Sequence, residues 1–186
     1  GEALAVYSAG NSGAVMASAI FRLGRLKGID RPAIGALFPT KDPGQPVLVL
    51  DVGANMDCKP TYLHQFALLG NIYSRDVLQV KRPRIGLLNI GEEDIKGNEQ
   101  IKEAATLMQQ AADLNYAGFV EGNGIFVGDV DVVVCDGFVG NVSLKTMEGA
   151  ASMIGGMIRE EAGRSLLRKL SGLFALPLLR GLKHRL

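Results

Sequence analysis

Residues that usually advertise a metal centre or a redox pair are scarce in this sequence. Among 186 residues there are two cysteines and two histidines. Cys58 and Cys135 stand too far apart for a metal-ligand or disulfide-exchange spacing, and no His/Glu zinc motif occurs, so no metal is expected. Cys135 lies inside the apolar run Asp131-Val-Val-Val-Cys-Asp136, which reads as a buried strand. Neither thiol calls for an oxidising compartment, and a reduced cytoplasm fits better. His64 falls at helical spacing among Leu63, Phe66 and Ala67, as a packed helix histidine would.

Charge of one sign is also missing. Twenty Lys and Arg face nineteen Asp and Glu, for a formal net charge of +1. No basic stretch is interleaved with aromatics, so nucleic acid is not an expected partner. No apolar run approaches the ~20 residues needed to cross a bilayer. Neither Gly-x-Gly-x-x-Gly after a strand nor Gly-x-x-x-x-Gly-Lys-Ser/Thr is found, which disfavours dinucleotide enzymes and P-loop NTPases.

What remains is the composition of a folded domain, with 47% hydrophobic and 21% charged residues, enough for a sizeable core. The opening Gly1-Glu-Ala-Leu-Ala-Val has no charged leader or cleavage site, and a strand-like run begins almost at once. We therefore expect a piece of a longer chain.

One pattern recurs: a short apolar run, a turn rich in Gly, Asn or Asp, then a helical segment. Leu4 to Tyr7 leads into Ser8-Ala-Gly-Asn11 and a helix ending near Gly28. Pro32 to Leu37 is a second apolar run. Val47 to Val52 leads into Gly53-Ala-Asn55 and a helix from about Pro60 to Leu78. Arg84 to Ile90 leads into Gly91-Glu-Glu93, then Lys96-Gly-Asn-Glu99 and a helix to about Leu114. Ala117 to Val120 precedes Glu121-Gly-Asn-Gly124, and Val130 to Cys135 precedes Asp136-Gly-Phe-Val-Gly-Asn141 and another helix. Such alternation predicts an α/β fold, a mainly parallel sheet covered by helices. Its strand-to-helix turns then gather on the carboxyl edge of the sheet, where open α/β sheets bind ligands.

Those turns are suited to an anion. Ser8, Gly10, Asn11, Ser12 and Gly13 open a helix, with backbone N–H groups free and glycines that admit a ligand. Gly140 and Asn141 repeat the arrangement, and Asn55, Glu93 and Asn98 stand in the other turns of the edge. Taken singly, each turn is better read as an ordinary cap; several on one edge favour binding. Lys96, flanked by Glu93, Asp94 and Glu99, is a solvated ion-pair member on one reading. On the other it neutralises phosphate or polarises a carbonyl oxygen. Cys58 and Ser12 are conceivable acyl acceptors, but no histidine is near either in sequence, which speaks against covalent catalysis. Beyond the predicted core of residues 1–163, residues 164–186 carry six Lys/Arg, no Asp or Glu, and leucines throughout. They are expected to form a basic helical arm, broken near Pro177, whose leucines and cations suit an anionic lipid surface, a dimer interface or an acidic carrier protein.

Ser8-Ala-Gly-Asn-Ser-Gly-Ala14, Leu50-Asp-Val-Gly-Ala-Asn55, Asn89-Ile-Gly-Glu-Glu93 with Lys96-Gly-Asn-Glu99, Asn115-Tyr-Ala-Gly-Phe-Val-Glu-Gly122 and Asp131-Val-Val-Val-Cys-Asp-Gly-Phe-Val-Gly-Asn-Val142 with Leu144-Lys-Thr146 occur in this order. Together they resemble the signature blocks of the PlsX phosphate acyltransferases, over most of the chain to about Gly149. The resemblance implies a fold like that of the phosphotransacetylase and isocitrate dehydrogenase superfamily and transfer of a fatty acyl group from acyl carrier protein to inorganic phosphate. It implies a homodimer, no metal and no organic cofactor, with Lys96 and Asn141 catalytic. It also implies that the basic, leucine-rich region attaches the protein peripherally to the inner face of an anionic membrane; the matching residues include Arg164, Arg168, Lys169, Leu173, Phe174, Arg180 and Lys183. The family's amino-terminal Asp-Ala-Met-Gly-Gly-Asp-type turn and its carboxyl-terminal segment have no counterpart in these residues. A phosphotransacetylase using coenzyme A thioesters and a non-catalytic membrane-associated scaffold are the rival readings.

Overall fold

A computed structural model of the chain describes residues 7–8, 10–93 and 95–164, together with 175 and 181. Helix α1 spans Ser12–Leu23, strand β1 Gly35–Phe38, β2 Val47–Leu50, helix α2 Pro60–Asp76, β3 Arg84–Leu88, α3 Glu99–Gln110 and β4 Asn115–Val120. A 3₁₀ turn at Gly124–Phe126 leads to β5, Val132–Val134, and to the long helix α4, Gly137–Gly163.

The strands form one sheet in the order β1-β2-β5-β3-β4. β2, β5, β3 and β4 run parallel, and β1 lies antiparallel on the edge. All four residues of β2 and all three of β5 are buried. Continuous burial follows from helices on both faces, since alternate side chains then enter different cores. Leu48, Leu50, Ile85, Leu87, Val132 and Val134 face α2 and α3, which contribute Leu63, Phe66, Ala67, Ile101, Ala104 and Met108. Val47, Val49 and Val133 face the other way, toward Phe38, Ile125 and the first half of α4 at Leu144 and Met147.

Local sequence explains the helices. α2 begins with Pro60 at its first position, where the missing N–H is no loss. It buries Leu63, Phe66, Ala67, Gly70 and Ser74, a stripe at helical period. α3 is capped by Asn98, whose side chain accepts from the Ile101 N–H at 2.9 Å. α4 is capped by Asp136 in the same way, through the Val139 N–H at 2.8 Å.

The expected α/β architecture is therefore present, with several boundaries moved. α1 ends at Leu23 rather than near Gly28, and α3 ends at Gln110 rather than near Leu114. α4 starts at Gly137, one turn ahead of Asn141, because Asp136 supplies the cap. The apolar run Leu4 to Tyr7 falls almost wholly outside the described residues. So do Arg168, Lys169, Leu173, Phe174, Arg180 and Lys183, and with them nearly all of the expected arm.

Two features prepare a site. The parallel strands bring the segments after β2, β5, β3 and β4 to one rim. Gly35 pairs with Leu50 across the antiparallel edge, so Pro32 to Ile34 join that rim from the opposite direction. α4 leaves β5 onto one face, while α2 and α3, which follow the neighbouring β2 and β3, leave onto the other. Helices diverging from adjacent strand ends open a crevice.

Phe66 is wholly buried between α2 and the sheet. Phe66→Ala is expected to lower unfolding stability by about 3–5 kcal/mol. The change should be read as a lower urea midpoint at unchanged slope.

Candidate functional site

Directly after β2 the chain turns through Asp51 to Asn55. Asp51 is fully buried. Its Oδ1 accepts from the N–H groups of Ile34, Gly53 and Ala54, at 3.0, 3.2 and 3.0 Å. Its Oδ2 accepts from the Asn55 N–H at 2.7 Å and from Asn55 Nδ2 at 2.8 Å. Asn55 Nδ2 also donates to the Pro32 carbonyl at 2.8 Å. Its amide hydrogens are thus taken up in shaping the loop, and it offers no donor to a ligand.

The start of α4 rests on this loop. The Gly137 N–H donates to the Asn55 carbonyl at 2.6 Å. Gly140 is buried against the Asp51 carbonyl and Cys135 Sγ so closely that any side chain there would overlap the backbone. With the Gly137 and Val139 N–H groups engaged and the Asp136 carboxylate in the cap, the amino terminus of α4 is not the open anion cradle expected of it. The expected contact of Gly140 with phosphate is replaced by packing. One turn further on, Asn141 lies half-buried beside Gly53, where a Cβ would meet Asn141 Oδ1 at 3.5 Å. Among the described residues its amide has no hydrogen-bond partner.

On the adjacent strand end, Asn89 Nδ2 donates to the Lys96 carbonyl at 3.3 Å, and the Lys96 N–H donates to the Glu93 carbonyl at 2.9 Å. These bonds fold the Glu93 to Lys96 turn back over β3. Lys96 is exposed, and no described carboxylate lies within ion-pair distance of its ammonium. Asn98 caps α3, so its Oδ1 is occupied. β3 and β5 are neighbours in the sheet, so the segments that carry Lys96 and Asn141 leave adjacent strands at the same rim.

The Ser8 to Gly13 turn approaches from the other end. Ser8 Oγ accepts from the Gly10 N–H at 3.1 Å, and Asn11 Oδ1 accepts from the Ala14 N–H at 3.2 Å, capping α1. Ser8, Gly10 and Ser12 share a cleft of ≈ 410 Å³ with Pro32, Ala33 and Ile34. This turn therefore belongs to the same rim, on its β1 side.

Burial raises the Cys58 thiol from 9.0 to about 11, helped by the carboxylates of Asp136 and Asp51. Burial and the same two carboxylates push Cys135 up as well. Both are protonated at neutral pH and poor nucleophiles. Among the described residues no cluster of His, Cys, Asp or Glu could hold a metal. A larger, apolar groove of ≈ 1160 Å³ begins at Val142 and Ser143, next to Asn141, and runs along α4 between Ile154, Ile158, Phe38 and Phe126. Arg164, the only described residue expected in the membrane-binding set, is the C-cap of α4, and it pairs with Glu160 and Glu161 at 3.3 and 2.9 Å.

Sequence reasoning missed Asp51 and Asp136. Their signal was present: each is an acidic residue at the end of an apolar strand, one or two residues before Gly, where a side-chain-capped turn is common.

Comparison with known proteins bears on this rim. The family described as fatty acid synthesis protein matches residues 1–186. The phosphate acyltransferase of Parasynechococcus marenigrum (strain WH8102) is 67% identical over the whole of this chain, which spans 44% of that protein. The phosphate acyltransferase of Alcanivorax borkumensis (strain SK2) is 63% identical, and the chain spans 54% of it. The chain thus spans about half the length of such relatives. In three dimensions it is similar to the EutD phosphotransacetylase from Staphylococcus aureus, with a TM-score of 0.56 and 19% identity over 74% of this chain and 46% of that one. A phosphotransacetylase from Streptococcus pyogenes gives 0.54 and 16%, over 68% and 44%. At such low identity these two show the fold alone.

In a Cys135→Ser variant, the thiolate absorbance of Cys58 is expected to rise near pH 11 instead of pH 9. The folded thiol holds its proton more tightly than the unfolded chain does. Its contribution to stability is therefore full below pH 9 and lost as pH climbs toward 11. A thiolate step at pH 9 would contradict this burial.

Proposed function

Because this chain belongs to the fatty acid synthesis protein family, we propose that the full-length protein transfers a fatty acyl group from an acyl carrier protein thioester to inorganic phosphate, releasing acyl phosphate and free thiol. A phosphate oxygen attacks the thioester carbonyl carbon, the C–O bond forms, and the C–S bond breaks as the tetrahedral intermediate collapses. The leaving thiolate takes up a proton. Phosphate is already a nucleophile at neutral pH, so the protein's task is to hold it against the thioester and to stabilise the developing oxyanion.

One observation carries the reading. Among the described residues, the Asn141 amide, early in the helix that follows β5, and the Lys96 ammonium, in the turn that follows the neighbouring β3, have no hydrogen-bond or ion-pair partner. Lys96 neutralises phosphate or polarises the carbonyl, and Asn141 donates to the oxyanion. Ser12 and Gly13, at the amino terminus of α1, would contribute to holding phosphate from the β1 side of the rim. The groove beginning beside Asn141 gives the acyl chain an apolar surface. Protonated, buried thiols at Cys58 and Cys135 favour direct attack by phosphate over an acyl-enzyme.

The finer picture is a homodimer acting on the inner face of the cell membrane. Among the described residues no helix is long and apolar enough to cross a bilayer. Contact would come instead from the six Lys/Arg of residues 164–186, each contributing about 1 kcal/mol near an anionic surface. Arg164, already paired with two glutamates, contributes least.

In the full-length protein, Lys96→Ala and Asn141→Ala are each expected to lower phosphate-dependent thiol release by ~10²–10³-fold while leaving the fold intact. Near-normal turnover in both would overturn the assignment. Preference for a coenzyme A thioester over the carrier-protein thioester would favour a phosphotransacetylase, and no release with either a scaffold. Co-sedimentation with anionic vesicles is expected at low salt and to weaken at high salt; binding that ignores both salt and vesicle charge would argue against the basic segment.

A further inference from the structure

We propose that Asp51 is the positioning residue of the acyl-transfer site, acting through Asn141. The inference rests on the phosphate acyltransferase reading and adds to it a residue that touches neither substrate nor thiol. Asp51 is fully buried, yet no described basic side chain forms a salt bridge with it. Its charge is met by the N–H groups of Ile34, Gly53, Ala54 and Asn55 and by the Asn55 amide. A carboxylate so enclosed fixes the backbone direction of every donor around it.

Those donors are the loop on which Asn141 sits. Gly53, bonded to Asp51 Oδ1, lies under the Asn141 side chain and has a φ of +140°, a conformation L residues rarely adopt. Asn55, bonded to Oδ2, receives the Gly137 N–H at the start of α4. The Asp51 carbonyl itself is the surface against which Gly140 is seated. One residue thus sets both the floor beneath the Asn141 amide and the depth at which its helix docks. An oxyanion donor works only at hydrogen-bond distance from the forming charge, so a small displacement of this seat is felt in turnover before it is felt in substrate binding.

Asp51→Asn is the direct test. Whichever way its amide turns, an NH₂ group meets backbone N–H donors, and the loop must move. In the full-length protein kcat is expected to fall about 10²-fold, with KM for the acyl thioester changed by less than about twofold and the fold retained by circular dichroism. In an Asn141→Ala background, where no amide remains to be placed, the same substitution is expected to lower kcat by less than about threefold.

Effects that multiply in the double variant, or a folded Asp51→Asn with normal kcat, would overturn the proposal. If Asp51→Asn does not fold, Gly53→Ala takes its place. It keeps the carboxylate and disturbs the loop under Asn141, and the same loss of kcat with the same dependence on Asn141 is expected. Normal kcat there would overturn the proposal equally. A wild-type protein that releases no thiol with phosphate would overturn the acyltransferase reading itself and this inference with it, whereas an active wild type paired with an unaffected variant overturns this inference alone.

Discussion

A carboxylate cannot be buried without compensation; leaving one unpaired in a protein interior costs several kcal/mol. Asp51 stands at that disadvantage, at the end of a strand whose every residue is enclosed. The chain answers with backbone amides rather than with a cation. Gathering them requires the segment after β2 to curl tightly around the side chain and requires the segment entering β1 to come alongside, since Ile34 supplies one of the donors. The same curl presents the Asn55 carbonyl to α4 and leaves a bare glycine under Asn141. Sheet edge, loop and helix are thereby registered to one another by a single side chain.

Around this anchor, the division of labour along the rim follows the sheet order. β5 lies between β2 and β3, so the helix it launches starts between the Asp51 loop and the Lys96 turn. The groups on the two loops differ in commitment. Asn11, Asn55, Asn98 and Asp136 use their side chains to finish turns and helices, whereas Asn141 and Lys96 remain available. Such a rim suits the proposed stabilisation of a transient charge, because groups already in place need not reorganise as the charge forms. The phosphotransacetylases similar in shape share the scaffold, and a scaffold by itself does not dictate chemistry.

Much of the architecture could be read from the residues. Val47 to Leu50 and Val132 to Val134 are unbroken apolar runs too short for helices, and the spacing of Leu63, Phe66, Ala67 and Gly70 has one helical answer. The side-by-side order of the strands was not readable, since β5 enters between β2 and β3 through contacts remote in sequence. At the site, the Gly/Asn turns announced the rim, but not which amides are free: Asn55 and Asn141 look alike in the chain, and only packing distinguishes the one bonded to Asp51 from the one bonded to nothing described. Glycine misled in a similar way. Gly140 reads as an opening for a ligand and is in fact the point of closest approach between helix and strand end.

The placement of β5 has a temporal consequence. A polypeptide leaving the ribosome makes β1 and β2, then β3 and β4, and these two pairs have no strand-to-strand hydrogen bonds with each other. Only when residues 132–134 emerge can the pairs be stitched into one sheet, by a segment three residues long. Until then the open edges of β2 and β3 are templates for unwanted pairing, and their burial waits on contacts far apart in sequence, the slow kind. The piece that closes the sheet is also the one that delivers α4 and Asn141, so the nascent chain acquires its central strand and its proposed oxyanion donor in the same short stretch of synthesis.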